Sequence, residues 1–261
     1  MILVADNLTI TNPVVARAVD TMDPGPIRNL VAQCEEAGAD AIDINPGPLS
    51  KNPKEKMIFL MDAVQSVTKL PLFLDTTNHE ALSAGLEIRR NPVVINGFSL
   101  EPAKLERILP LAKEYDVDII GYLLTSTGCV PAREDDLVQI ALDLYRELKK
   151  AGLDDTRLII DPVVAPLIWQ NGTAHNRQVL SVIRILPELL GFPVRTIAGI
   201  SNLTSGPGPA GKKRLAEQSF MAMLAAAGLT FGLLNILRPE LISSARMCSR
   251  LLNSDVFSWA E

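Results

Sequence analysis

The sequence predicts one α/β domain, a (β/α)₈ TIM barrel over residues 1–261, and three observations point to it. Short apolar or β-branched runs alternate with longer amphipathic stretches along the whole chain, the pattern of right-handed crossovers onto a parallel sheet. Hydrophobic residues make up 48% of the chain but aromatic ones only 5%. A core of Val, Ile, Leu and Ala follows, which suits strands buried on both faces. The length of 261 residues fits one such barrel of about 250, and no linker-like boundary divides it.

In chain order the apolar runs predict strands at Ile2–Ala5, Ala41–Ile44, Leu72–Leu74, Val93–Ile95, Ile119–Leu123, Leu158–Ile160, Thr196–Ile200 and Phe231–Leu234. Helices are predicted near 26–38, 54–68, 79–90, 102–115, 134–151, 175–190 and 212–227, with one or two more after Pro239. Boundary signals support this register. Asp23-Pro24-Gly25-Pro26 opens one helix, and Ala37-Gly38 and Ala151-Gly152 close two others. The segment SNLTSGPGPAGK (201–212) is too rich in Gly and Pro for regular structure. It reads as a loop after the seventh strand, on the face where barrels keep their active sites.

Composition excludes several classes of partner. Net charge is −5, and the longest basic run is Lys212-Lys213-Arg214, so the basic stripe of a nucleic-acid binder is missing. No apolar stretch approaches the roughly 20 residues of a membrane span. The opening MILVADN lacks the basic start and apolar run of a signal peptide, so the cytoplasm is the expected compartment. Cys34, Cys129 and Cys248 lie far apart without a Cys-x-x-Cys pair and are expected to be buried, reduced thiols. His79 and His175 begin predicted helices and share no ligand motif, so no metal is expected on this chain.

The candidate chemistry sits at the strand ends, because residues there converge on one mouth of a barrel. Those positions hold Asp43 and Asn45, Asp75, Asn96, Thr125 and Ser126, Asp161, Ser201 and Asn202, and Asn235. Asp and Asn also cap helices and form turns, so any one of them is ambiguous. As a set they form a mouth of carboxylates and amides nearly free of cations. Such a lining suits a ligand rich in N–H donors and without phosphate at its recognised end, and a carboxylate can take two such donors at once.

The segments DAIDINPGP (40–48), LFLDTTN (72–78), VVINGFS (93–99), LIIDPVV (158–164) and IAGISNLTSG (197–206) resemble the pterin-binding barrel of methyltetrahydrofolate:corrinoid methyltransferases. The resemblance covers essentially the whole chain and includes SFMAMLAAAGL (219–229). It implies an enzyme that moves a methyl group between N5 of tetrahydrofolate or 5-methyltetrahydrofolate and the cobalt of a cobalamin. That cobalamin would be supplied by a partner corrinoid protein. The resemblance further implies that Asp75, Asn96 and Asp161 clamp the pterin, that Asn202 is a mobile side chain near N5, and that Asp43, Asn45 and Ser201 support the pocket. Asp75 and Asn96 count with Asn202 in the catalytic set, and a homodimer is expected.

Departures from the family pattern are confined to particular segments. The usual Gly-Glu-Arg-Ile-Asn opening is Ala5-Asp6-Asn7-Leu8-Thr9 here, and the loop after Asn202 is longer, with Ser205 where glutamine is common. Asn235 and Arg238 follow the last strand without the acidic residue often found nearby. These changes bear on which corrinoid protein docks, and favour a component of a methyl-donor-degrading system such as an O-demethylase. Two alternatives stand beside this reading. A dihydropteroate synthase would share the pocket but carry an Asn-x-Thr-x-Asp-Ser-Phe-like first loop, whereas this chain has DNLTITNP. A non-catalytic pterin-binding scaffold would keep the pocket alone. Lys212-Lys213-Arg214 faces a folate's glutamate tail, an acidic partner or solvent, and Trp169 lines either the mouth or a packing surface.

Overall fold

The computed structural model describes residues 1–49 and 51–252. Eight parallel strands close into a barrel in sequence order, each pairing with its chain neighbours and β1 pairing with β8. The strands are β1 (Ile2–Thr9), β2 (Ala41–Asn45), β3 (Leu72–Leu74), β4 (Val93–Phe98), β5 (Asp118–Tyr122), β6 (Leu158–Asp161), β7 (Arg195–Gly199) and β8 (Phe231–Leu234). The surrounding helices are α1 (Pro13–Thr21), α2 (Pro24–Glu36), α3 (Pro53–Gln65), α4 (His79–Glu87), α5 (Pro102–Arg107), α6 (Leu109–Glu114), α7 (Glu134–Lys150), α8 (Gly172–Leu190), α9 (Ala210–Ala227) and α10 (Pro239–Leu252).

Every predicted strand is present, and the departures are local. Helix α1 was not among the predicted elements. Its signal is Asn12-Pro13, where the Asn12 side chain accepts from the Val14 N–H at 3.0 Å and Pro13 occupies the first turn. The predicted helix 102–115 is two helices. Pro110 has no N–H to offer and its ring crowds the carbonyl four residues back, so the helical ladder restarts at Leu109. Part of the expected loop after β7 is ordered as a 3₁₀ turn, Ile200–Thr204, and α9 already begins at Ala210. One helix follows Pro239, and a second would lie beyond the described residues. Cys34 is buried as expected, but Cys129 is exposed in the turn after β5.

Strand periodicity builds the barrel interior. Val4, Ala41, Phe73, Val94, Ile120, Ile159, Ile197 and Phe231 form one apolar cluster inside the barrel, with Phe73 and Phe231 meeting edge-to-face at 5.7 Å. Burying each phenyl ring contributes about 1.5–3 kcal/mol. Two residues further along each strand the side chain points inward again. There the row reads Asp6, Asp43, Asp75, Asn96, Tyr122, Asp161, Gly199 and Leu233. An apolar floor therefore lies one layer beneath a largely polar ring. Outward-facing residues such as Ile42, Leu74, Ile95 and Ile160 pack against the helices.

At the opposite end, ion pairs join the beginnings of the strands. Arg157 pairs with Asp116 at 2.6 Å, Arg195 with Asp118 at 2.7 Å, and Arg246 of α10 with Asp40 at 2.9 Å. Asp40 also accepts from the Leu3 N–H at 2.7 Å, which ties the first strand to this network.

The loop between β6 and α8 is fastened from the first turns of α8. Asn176, 3% exposed, accepts from the Ala165 N–H at 2.9 Å and donates to the Ala165 carbonyl at 2.8 Å. His175 Nε2 lies 2.8 Å from the carbonyl of Val163. Removing the amide strands two buried backbone groups. Asn176→Ala is therefore expected to lower the unfolding free energy by about 2–4 kcal/mol in urea titration, while Ser181→Ala on the same helix should cost less.

Candidate functional site

A cavity of about 300 Å³ opens at the C-terminal ends of the strands, lined by Asp6, Thr9, Thr11, Asp43, Asn45, Asp75, Asn96, Tyr122, Asp161, Gly199, Ser201, Asn202 and Leu233. All seven residues expected in the pocket from sequence, Asp43, Asn45, Asp75, Asn96, Asp161, Ser201 and Asn202, line it. Thr125, Ser126 and Asn235 do not. Thr125 closes a local turn by accepting from the Cys129 N–H at 3.1 Å, and Asn235 accepts from Asn7 Nδ2 at 2.8 Å.

Several of these residues lie within the strands rather than after them. Asp43 and Asn45 belong to β2, Asn96 to β4, and Asp161 ends β6. The apolar run stops where the environment turns from floor to cavity, but the backbone ladder continues.

Hydrogen bonds order the ring in pairs. Asn45 Nδ2 donates to Asp75 at 2.7 Å, while its Oδ1 accepts from the Gly47 N–H at 3.2 Å. Asn96 Nδ2 donates to Asp43 at 3.0 Å, and its Oδ1 accepts from the Tyr122 hydroxyl at 2.6 Å. These bonds fix both amide orientations and leave carboxylate oxygens to face a ligand. Asp161 accepts from the Val163 N–H at 2.7 Å. Val163 adopts φ 62°, a left-handed conformation costly for a β-branched residue, and this turns its N–H back onto Asp161.

Ser201 and Asn202 enter on the 3₁₀ turn after β7, held at both ends. Ser201 Oγ donates to Asp6 at 2.9 Å. At the far end Thr204 donates to Glu217 of α9, a buried carboxylate that also pairs with Arg238.

Sequence reading missed Tyr122, Asp6, Thr9, Thr11, Gly199 and Leu233 as lining residues. Tyr122 was the most accessible of these, because it lies two positions past the inward-facing Ile120. Trp169 is 52% exposed in the β6–α8 loop and does not line this cavity. In the basic cluster, Lys213 donates to the Gly206 carbonyl and Arg214 lies 3.8 Å from Glu240.

No basic side chain among the described residues lines the cavity, and the carboxyl groups respond to that. Burial pushes Asp161 up to about 7, reinforced by Asp75 and opposed by the Val163 N–H. Burial likewise raises Asp75 to about 6, against the pull of Lys104. Asp43 is raised well above the usual carboxylate range by burial and by the nearby Asp75. Tyr122 is also pushed up, by burial and by the aspartates around it. Burial therefore raises the proton affinity of three carboxyls that line one cavity.

Fold and site together define a (β/α)₈ barrel with a carboxylate–amide pocket at its mouth. Residues 16–234 match the family model described as pterin binding enzyme. The chain belongs to this family. It is 26% identical over 259 residues to a methylcorrinoid:tetrahydrofolate methyltransferase of Eubacterium limosum, covering 98% of this chain and 92% of that protein. It is 23% identical over 199 residues to a methionine synthase of Mycobacterium leprae, covering 74% of this chain but only 16% of that much longer protein. Among solved structures, dihydropteroate synthase of Xanthomonas albilineans in complex with 7,8-dihydropteroate superposes with TM-score 0.67 at 19% identity, covering 97% of this chain and 94% of that one. A DHPS of Yersinia pestis with a pterine–sulfa conjugate gives 0.70 at 14% identity, covering 96% and 92%. The structural likenesses show the shared fold.

A stability signature follows from the raised carboxyls. Between the usual carboxylate range and about 7, the folded chain binds more protons at Asp161 and Asp75 than the unfolded chain. These two groups therefore subtract stability as pH rises through that window. Compared with wild type, Asp161→Asn is expected to show a smaller loss of melting temperature between pH 5 and pH 8. Parallel curves for the two proteins would contradict the raised Asp161.

Proposed function

We propose that this protein transfers a methyl group between N5 of tetrahydrofolate and the cobalt of a corrinoid protein. The observation that carries the proposal is the convergence of Asp75, Asn96 and Asp161 with the Ser201–Asn202 turn on one cavity. The relative from Eubacterium limosum, alike over nearly its full length, supports the chemistry and leads us to propose a corrinoid protein as partner. Homodimerisation is part of the same proposal.

In this reading the pterin enters the cavity with its amino-pyrimidinone edge toward the aspartates. Asp161 and Asp75 accept ring N–H donors, while Asn96, its amide oriented by Asp43 and Tyr122, bridges positions that need both a donor and an acceptor. Asn202, partly free at the mouth, hydrogen-bonds N5. A methyl group on a tertiary amine leaves poorly unless positive charge develops on that nitrogen. Bonds that strengthen as N5 charges lower the barrier more than bonds made equally in the ground state. The corrinoid is the second substrate, and its reduced cobalt is the methyl acceptor or, in the reverse direction, its methylated cobalt the donor. A dihydropteroate synthase is less well supported, because the first loop reads DNLTITNP and lacks its signature.

Incubation with 5-methyltetrahydrofolate and chemically reduced cobalamin should produce methylcobalamin, followed by absorbance. Absence of transfer in both directions would leave a binding scaffold and sink the proposal. Asn202→Ala should cut kcat by about 10²-fold with little change in folate affinity. Folate should bind more tightly as pH rises through about 7, the range in which Asp161 loses its proton, and Asp161→Asn should bind weakly at every pH. Calorimetry showing unaltered affinity in that variant would remove Asp161 from the clamp.

A further inference from the structure

The opening of the chain departs from the family pattern, and the structure gives that departure a place in the pocket. Pairing between β1 and β2 shifts register between Ala5 and Leu8, so β1 carries one extra residue there. The two intervening side chains do different work. Asn7 donates to Asn235 and accepts from the Ile236 N–H at 2.9 Å, tying β1 to the segment after β8. Asp6 lines the cavity.

The four carboxylates of the cavity are held differently. Asp43 is bonded to Asn96, Asp75 to Asn45, and Asp161 to the Val163 backbone. Asp6 is bonded to the Ser201 hydroxyl at 2.9 Å, on the turn whose next residue is Asn202. It is thus the carboxylate joined to the side of the pocket where the reading above puts N5.

We propose that Asp6 is the proton reservoir for this nitrogen, exchanging a proton with it through the Ser201 hydroxyl. The inference rests on the folate reading. A hydroxyl donates and accepts at once, so one proton can pass from Asp6 to Ser201 Oγ while the serine's own proton passes to N5. With N5 protonated, the methyl carbon–N5 bond breaks and its electron pair stays on nitrogen. The methyl carbon bonds to the reduced cobalt of the corrinoid substrate, which is thereby oxidised by two electrons. Asp6 is left as a carboxylate and regains its proton from solvent. In the reverse direction the N5 proton returns along the same path.

The surroundings keep Asp6 able to hold a proton. Burial raises its affinity for one, Glu217 of α9 adds to this, and Ser201 and Arg238 oppose it. Arg238, from the segment after β8, is itself paired with Glu217. Cys34 of α2 and Asp43 of β2 also feel the Asp6 charge.

The test uses the full chain with 5-methyltetrahydrofolate enriched in ¹³C at the methyl group, whose resonance reports N5 protonation without any corrinoid. In wild type, an Asp6 carboxylate favours charged N5. In Asp6→Asn the bound N5 is expected to titrate at a pH lower by about one unit or more. In the cobalamin assay kcat should fall about 10²-fold with the folate KM nearly unchanged. The acid limb of the kcat profile should move with it, and Asp6→Glu should restore part of both effects. Ser201→Ala should lose kcat while still binding folate. An N5 titration unchanged in Asp6→Asn overturns the proposal, as does a loss of rate explained wholly by KM. If wild type binds folate but transfers no methyl, the methyltransferase reading fails, and the resonance still decides the role of Asp6.

Discussion

The two-residue period of a parallel strand governs this molecule. Once the barrel closes with Phe73, Val94, Ile120 and Ile159 facing inward, the next inward positions are committed to Asp75, Asn96, Tyr122 and Asp161. A one-residue slip in β2, β3 or β6 would send a carboxylate into the helix layer and Ile42, Leu74 or Ile160 into the cavity. The apolar floor and the polar ring are therefore one specification. The hydrophobic effect fixes which way the strands face, and that choice places the recognition groups without further cost in chain ordering.

The polar ring is acceptable because its members satisfy one another in part. Two amides are each held by a carboxylate and a second partner, so their orientation is set before a ligand arrives. No basic side chain among the described residues lines the cavity, and burial raises the proton affinity of the carboxyls. Preorganised amides beside carboxyls of raised proton affinity make a lining in which N–H donors would find acceptors.

How much of this was legible in the sequence varies with the physics involved. All eight strands were readable, because branched apolar runs report burial on both faces. Six of the seven lining residues were readable for the same reason, since they follow such a run, and Asp43 lies within one. What escaped depended on three-dimensional register or on local breaks in pattern. Tyr122 looked like the tail of an apolar run, and Asp6 sat in a segment whose register shift only the pairing with β2 shows. Helix α1 adds to the strand–helix alternation, and the break at Pro110 fell inside a convincing helical period. Thr125, Ser126 and Asn235 had the right residue types at the right places but were taken up by turns and loop ties. The family resemblance added roles that residue chemistry alone left open, chiefly that of Asn202.

The ion pairs at the far end of the barrel carry a different implication. Arg157, Arg195 and Arg246 hold the strand beginnings through Asp116, Asp118 and Asp40, a full strand length from the cavity. Anchorage and recognition thus occupy opposite poles of the same strands. Loops at the mouth can change length while the staves stay bound at their base. The rim can thus be remodelled while the barrel beneath is inherited intact.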